Sequence, residues 1–438
     1  MSLIVILVYV VPAILILAWY LHVRRKREEA SIKAAEEAIA ASMTEPPSLH
    51  PVIDPVKCIG CRSCVAACPE QPAHPVLGMI RHKAHLIAPA NCIGHGACFR
   101  ACPEGAIELV FGTARRGVDI PTVDPDFQTN IPGIYIAGEL GGMGLIGNAI
   151  EQGRQALESI SKLDGLGKEG QLDVVIVGAG PAGIASSLGA MEKKLRFVTV
   201  EQDSLGGTVA HFPRGKLVMT RPAMLPIVGK MKFTETRKEK LLEYWQDVEQ
   251  KTGLTVNYNE RVTAITPVDG GKAFNVVTQN SSYKTRAVLL CIGRRGTPRQ
   301  LGVPGEEMSK VVYRLIDPEQ YQGQKVLVVG GGDSALEAAH SIAEQPGTKV
   351  TISYRSAAFS RAKPKNRDKV EELVAAGQMQ SLMSSNVKEI RQDAVIIETE
   401  KGTGSLPNDA VIVCAGGILP TGFLKDVGIE VETKYGSA

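Results

Sequence analysis

Eight positions between residues 58 and 102 carry the side chains that bind soft metals. Cys58-Ile-Gly-Cys61-Arg-Ser-Cys64-Val-Ala-Ala-Cys68-Pro follows the spacing C-x2-C-x2-C-x3-C-P. Cys92-Ile-Gly-His95-Gly-Ala-Cys98-Phe-Arg-Ala-Cys102-Pro repeats it with histidine in second place. In such a run three thiolates bind one four-iron cluster and the fourth reaches a neighbouring one. Structural zinc usually pairs two CxxC units across a longer gap, so this register suits iron–sulfur chemistry better. His95 leaves two outcomes open. As a ligand, a neutral imidazole makes the second cluster less negative and raises its potential; alternatively, a three-iron cluster lacks a ligand there and His95 faces solvent. His74, His82 and His85, between the two runs, have no ligand spacing and read as surface or hydrogen-bonded structural residues.

Two glycine loops can hold phosphates. Asp173-Val-Val-Ile-Val-Gly178-Ala-Gly180-Pro181-Ala-Gly183 joins an apolar strand to a helix start, and Glu201 closes the next strand about 20 residues on. The glycines let backbone N–H groups approach a pyrophosphate, and Glu201 can accept ribose hydroxyls. A second unit runs from Lys325 through Gly330-Gly331-Gly332-Asp333-Ser334-Ala335 into a helix and a further strand ending in Arg355-Ser356. A guanidinium where an acid would bind ribose suits a 2′-phosphate and favours NADPH, with Arg361 and Lys363 as helpers. If Arg355 is only a solvated strand end, NADH is the alternative.

These residues need several elements to place them. The 438 residues balance 49 basic against 46 acidic side chains, with 44% hydrophobic and 5% aromatic residues. That excludes a disordered chain and gives no electrostatic or stacking reason to expect nucleic acid. Residues 3–22 form an apolar run followed by Arg24-Arg25-Lys26-Arg27. The pattern predicts a retained single-pass membrane helix with its N-terminus outside and the catalytic domains in the cytoplasm, in a bacterial inner membrane. A helical stalk and a proline-rich hinge follow.

The paired cysteine runs resemble bacterial two-cluster ferredoxins over residues 52–111. Carried over, that pattern gives Cys58, Cys61, Cys64 and Cys102 to the first cluster, and Cys92, Cys98 and Cys68 to the second, with His95 in question. The two glycine units, with CIGRRGTPRQLGVPGE between them and VCAGGILPTGFL after the second, resemble the thioredoxin-reductase-like flavoproteins. AHFPRGKLVMTRP and TRKEKLLEYWQDVEQKTGL look most like the branch of bacillithiol-disulfide-reductase-like enzymes and ferredoxin–NADP reductases. The resemblance implies FAD at the first loop and nicotinamide at the second. It also implies that residues 123–157, with Gly138 and Glu139, are the family's closing FAD segment displaced by circular permutation; Glu139 stands where Asp is usual. The expected layout is therefore 1–23 anchor, 24–51 stalk, 52–111 ferredoxin domain and 112–165 closing FAD segment. After these come 172–295 FAD domain, 296–412 NAD(P)H domain and 413–438 return to the FAD domain. The fold class is multidomain: one transmembrane helix, an α+β ferredoxin-like domain and two α/β Rossmann-like domains.

A disulfide reductase needs an activated thiol near the flavin. Ala182 stands where the bacillithiol branch would place one, and Cys291 and Cys414 lie in apolar strands. The expected function is therefore electron relay among NADPH, FAD, two iron–sulfur clusters and a membrane redox partner: a cytochrome, a quinone enzyme or an electron-transfer complex. Sequence does not set its direction, and a homodimer is compatible with it. Two other classes compete. One is a reductase of a small disulfide, quinone or polyprenyl compound, with the clusters supplying electrons; the other is a non-catalytic redox subunit.

Overall fold

The computed structural model describes residues 9–436 except 42, 47–48, 72–73, 93, 95, 114–116, 142–144 and 221. The expected membrane helix is corrected. Among the described residues no helix is long and apolar enough to cross a membrane, which overturns the transmembrane element and the single-pass placement built on it. The apolar residues from Val11 onward belong to one helix, Val11–Ala40, that runs on through Arg24–Arg27 and the Glu- and Lys-rich stretch. Within the described residues its apolar part, from Val11, is shorter than the roughly 20 residues a bilayer requires. Residues 3–8 of the expected span lie outside the described residues.

From Arg24 onward that helix packs on the cysteine-rich unit. A Cβ on Gly78 would lie 2.6 Å from Ser31 Oγ, the Arg81 N–H donates to Glu28 Oε1 at 2.6 Å, and Arg24 contacts His82. The cysteine-rich unit has an approximate internal repeat. Strand His50–Ile53 pairs antiparallel with Ile107–Val110, and Leu77–Ile80 pairs with Lys83–Leu86. Two short helices, Ser63–Ala67 and Ala97–Ala101, carry Cys64 and Cys98, which occupy the third position of each run.

The first nucleotide-binding sheet has strand order Val256–Asn257, Phe197–Val200, Leu172–Val177, Ser282–Leu290, Ala273–Thr278, Val262–Val268. Its central strands are apolar on both faces because helices cover them, as parallel strands require. Strand Ile134–Ile136 adds to this sheet, running parallel to Val288–Leu290. Helix Ile146–Ile160 lies on helix Pro181–Glu192 so closely that a Cβ on Gly153 would meet Ala182 O at 2.2 Å. Strand Ile134–Ile136 and helix Ile146–Ile160, which precede the first glycine loop in sequence, thus share its core, with Tyr135, Ala149, Leu157, Ile176 and Leu289 buried together.

The second sheet is parallel throughout, in the order Val311–Val312, Ala410–Val413, Lys325–Val329, Lys349–Ser353, Met379–Leu382. A three-stranded antiparallel sheet, 386–407, stands beside it. The chain then returns: Val431–Lys434 pairs antiparallel with Val118–Pro121, and Asn130 is hydrogen-bonded to Gly428 O and Glu430 N.

Candidate redox site

The first cysteine run turns around a cavity. Cys58, Cys61, Cys64 and Cys102 line it together with Ile53, Ile59 and Ala84. The fourth thiol therefore comes from the end of the second run. Gly60 and Arg62 adopt φ of 75° and 68°, and Gly94 and Gly96 repeat these with 72° and 71°. Such left-handed turns aim successive N–H groups inward and make an anion-binding concavity. A side chain at Gly60 is excluded, because its Cβ would meet His82 O at 2.3 Å. Among the described residues no three Cys, His, Asp or Glu groups form a site for a single metal ion.

Cys92 and Cys98 are buried in the same core, with Cys68 partly buried against it. Burial pushes the thiols of Cys64 and Cys92 up to about 11 and lifts Cys98 likewise. Cys61, at the surface, is lowered by hydrogen bonding with Ser63. Iron ligation must therefore displace protons from the buried thiols. His95 lies outside the described residues. His74 sits 3.9 Å from Asp368, while His82 and His85 are exposed.

Around the first glycine loop the backbone fits a dinucleotide. Gly178 has φ of 107°, and its Cβ would lie 2.5 Å from Cys291 O; a Cβ on Gly183 would lie 1.8 Å from Gly178 O. Gly180 differs, because the nearest atom to its Cβ position is Gly207 Cα at 3.9 Å, so its outer side is open to a phosphate. Pro181 occupies the first helical turn, where its missing N–H costs nothing. Glu201 is buried and accepts the Ala179 and Asp203 N–H groups at 2.7 and 3.0 Å. Burial lifts its carboxyl above the ordinary value against these bonds, and both oxygens keep a lone pair for ribose hydroxyls.

Gly138, at φ of 87°, faces this helix start: its Cβ would lie 3.0 Å from Ala182 Cβ, and its N–H donates to Gln152 Oε1 at 2.9 Å. The Glu139 carboxyl is raised by burial and opposed by Arg294. It points towards Gly293 and Thr208, with Glu139 Oε2 3.9 Å and Thr208 Oγ1 4.0 Å from the Gly293 Cβ position. Residues from three distant stretches thus meet at one edge of the sheet.

The second loop repeats the geometry. A Cβ on Gly330 would meet Cys414 O at 2.3 Å, one on Gly331 would strike the Tyr354 ring, and Gly332 is open on that side. Asp333 and Ser334 begin helix Asp333–Ala343, and Ala335 is buried under it. Arg355 and Arg361 are exposed and Ser356 is half-buried. Arg361 pairs its backbone with Gly332, and the Lys363 N–H donates to Asp333 Oδ1 at 2.8 Å. Arg355, Arg361 and Lys363 therefore border one loop, and no salt bridge engages them among the described residues. Cys291 and Cys414 are pushed up to about 12 by burial, the reverse of an activated thiol.

Comparison with known proteins places this architecture. A model described as a 4Fe-4S dicluster domain matches residues 50–103. A model described as pyridine nucleotide-disulphide oxidoreductase matches residues 175–437, more than half of the chain. The chain belongs to the pyridine nucleotide-disulphide oxidoreductase family. Ferredoxin–NADP reductase of Ignicoccus hospitalis is 28% identical over 268 residues, covering 60% of this chain and 83% of the relative. Bacilliredoxin reductase Bdr of Bacillus subtilis is 26% identical over 271 residues, covering 61% and 83%. The solved bacillithiol disulfide reductase of Staphylococcus aureus superposes with a TM-score of 0.54 at 23% identity over 61% of this chain and 85% of that one, which shows the fold. This family member is a flavin-dependent oxidoreductase with an iron–sulfur domain, and its cofactors include FAD and iron–sulfur.

Sequence reasoning missed several residues that shape the site. Arg294 and Gln152 lie inside stretches read only as wholes, Gly207 and Asn91 in none, and each acts on a residue that is not its neighbour in the chain. The adjacent Gly206-Gly207 pair was a local signal in the sequence, and Gly207 adopts a positive φ of 56°.

Proposed function

We propose that this reductase relays electrons between NADPH and a separate one-electron redox protein by way of FAD and two iron–sulfur clusters. The observation that carries the reading is the path of the chain. Residues 112–165 leave the cysteine-rich unit directly and supply strand Ile134–Ile136 and Gly138 to the first glycine loop. The cluster unit is therefore tethered to the segment that lines the flavin site.

FAD held there would supply hydride acceptance from nicotinamide and single-electron release. The chain's own residues orient the reactants. Gly178, Gly180 and Gly183 admit the pyrophosphate to the helix start, Glu201 takes the ribose hydroxyls, and Gly138 and Glu139 close the cradle. At the second loop, Gly330, Gly332, Asp333, Ser334 and Ala335 form the phosphate turn, and Arg355 and Ser356, helped by Arg361 and Lys363, hold the 2′-phosphate. Cys58, Cys61, Cys64 and Cys102 hold one cluster; Cys68, Cys92 and Cys98 hold the other. Residues 112–165 complete a FAD domain permuted in the chain, which the pairing of Val431–Lys434 with Val118–Pro121 supports. Direct disulfide reduction at the flavin is disfavoured by the raised thiols of Cys291 and Cys414.

The test removes the first cluster with Cys61→Ser and Cys64→Ser together and uses cytochrome c as the one-electron probe. Flavin bleaching by NADPH is expected to keep its rate while cytochrome c reduction falls at least tenfold. Unchanged cytochrome c reduction would show that the flavin alone serves the acceptor.

A further inference from the structure

The cysteine-rich unit rests on the second nucleotide domain through a buried charge that neither motif contains. Helix Pro364–Ala375 starts beside the second glycine loop, where Lys363 N–H and Asn366 Nδ2 both donate to Asp333 Oδ1 at 2.8 Å. The next residue, Arg367, is only 6% exposed. Its Nη2 donates to Asn91 Oδ1, and Asn91 immediately precedes Cys92. Asn91 Nδ2 donates in turn to Pro75 O at 2.9 Å, and His74 lies 3.9 Å from Asp368. These contacts fix the start of the second cysteine run against the helix.

Arg367 is incompletely satisfied. Its Nη1 is buried with no hydrogen-bond partner among the described residues. Asp368, Glu371 and Asp333 act on it electrostatically, yet none forms a salt bridge with it there. A guanidinium withdrawn from water and left without an ion pair is costly unless a negative group lies nearby. These carboxylates leave Nη1 unpaired, and the thiols of the second run begin one residue beyond its partner Asn91.

We propose that Arg367 is a positioning residue for the second cluster, seating Cys92 through Asn91 and raising that cluster's reduction potential with its buried positive charge. The inference rests on the reading that this thiol core holds an iron–sulfur cluster. Reduction adds negative charge, so a fixed cation favours the reduced form. Asn366, which joins Arg367 to Asp333, ties the same seat to the nucleotide loop.

Redox titration of the full-length, cluster-loaded protein followed by low-temperature EPR tests this, with cluster signals assigned through Cys98→Ser. In Arg367→Gln, reduction of the second cluster is expected to be disfavoured about tenfold, about 59 mV for one electron, with the first cluster unmoved. Arg367→Lys keeps the charge and should retain the wild-type midpoint. Asn91→Asp leaves Arg367 in place but pairs it with a carboxylate, and should lower the second midpoint in the same direction. Midpoints unmoved in Arg367→Gln and Asn91→Asp, or displaced equally in the Gln and Lys variants, overturn the role of Arg367 while leaving the relay intact. Absence of any cluster signal from wild-type protein overturns both.

Discussion

Single atoms decide what the glycine loops tolerate. Gly183→Ala would drive a Cβ to 1.8 Å from a backbone carbonyl that has no freedom to retreat, and overpacking of this kind costs roughly 1–3 kcal/mol or more. The variant is expected to purify with less than a tenth of wild-type flavin, read from the visible spectrum. Arg355→Ala should raise the KM for NADPH about tenfold and leave that for NADH unchanged; an equal effect on both would remove the 2′-phosphate role. Cys291→Ser and Cys414→Ser should each keep NADPH oxidation within about twofold of wild type, because burial already holds these thiols protonated at neutral pH. A large loss of turnover in either variant would reopen thiol chemistry at the flavin. The glycine and cysteine patterns were legible in the sequence because each is a local run with fixed spacing. Arg367 and Gln152 were not, because their partners Asn91 and Gly138 are set by tertiary packing.

At the scale of elements, strand Leu172–Val177 carries at its start an ion pair between buried Asp173 and exposed Arg196. Burial alone would raise the Asp173 carboxyl, but hydrogen bonds from Arg196 and the Gly167 N–H hold it below its ordinary value. A carboxylate depressed in this way contributes stability that is complete above its unfolded pKa, about 3.9, and lost as pH falls through the lower folded value. Asp173→Asn is therefore expected to lower Tm by a few degrees at pH 7, with the gap from wild type closing as the medium is acidified below about pH 4. A gap that is constant across that range would assign the loss to packing. The same sheet shows where sequence reading ended. Parallel strands such as Leu172–Val177 announce themselves by continuous apolar runs, whereas the placement of Ile134–Ile136 beside Val288–Leu290 is a choice of neighbour that hydropathy alone does not encode. The N-terminal apolar run misled for a related reason: its composition suited a bilayer, but from Val11 onward it continues as one helix into the basic and acidic residues that follow and dock on the hairpin at Gly78.

Across the whole molecule, three units meet in pairs. The cysteine-rich unit is joined covalently to the flavin-side segment through residues 112–133 and contacts the second nucleotide domain through Arg367 and Asn91. Lys216 of the first domain pairs with Glu337 of the second, and Arg214 reaches Asp317 at 3.1 Å. Both nucleotide domains and the cysteine-rich unit are thereby held in one assembly, as the proposed relay requires. The central claim is tested most directly by mixing the reconstituted protein with NADPH under anaerobic conditions, freezing it and recording low-temperature EPR beside the flavin spectrum. Electron relay is expected to yield reduced-cluster signals that grow as oxidised flavin disappears. Flavin that bleaches fully while the clusters stay silent would contradict transfer from NADPH to the clusters.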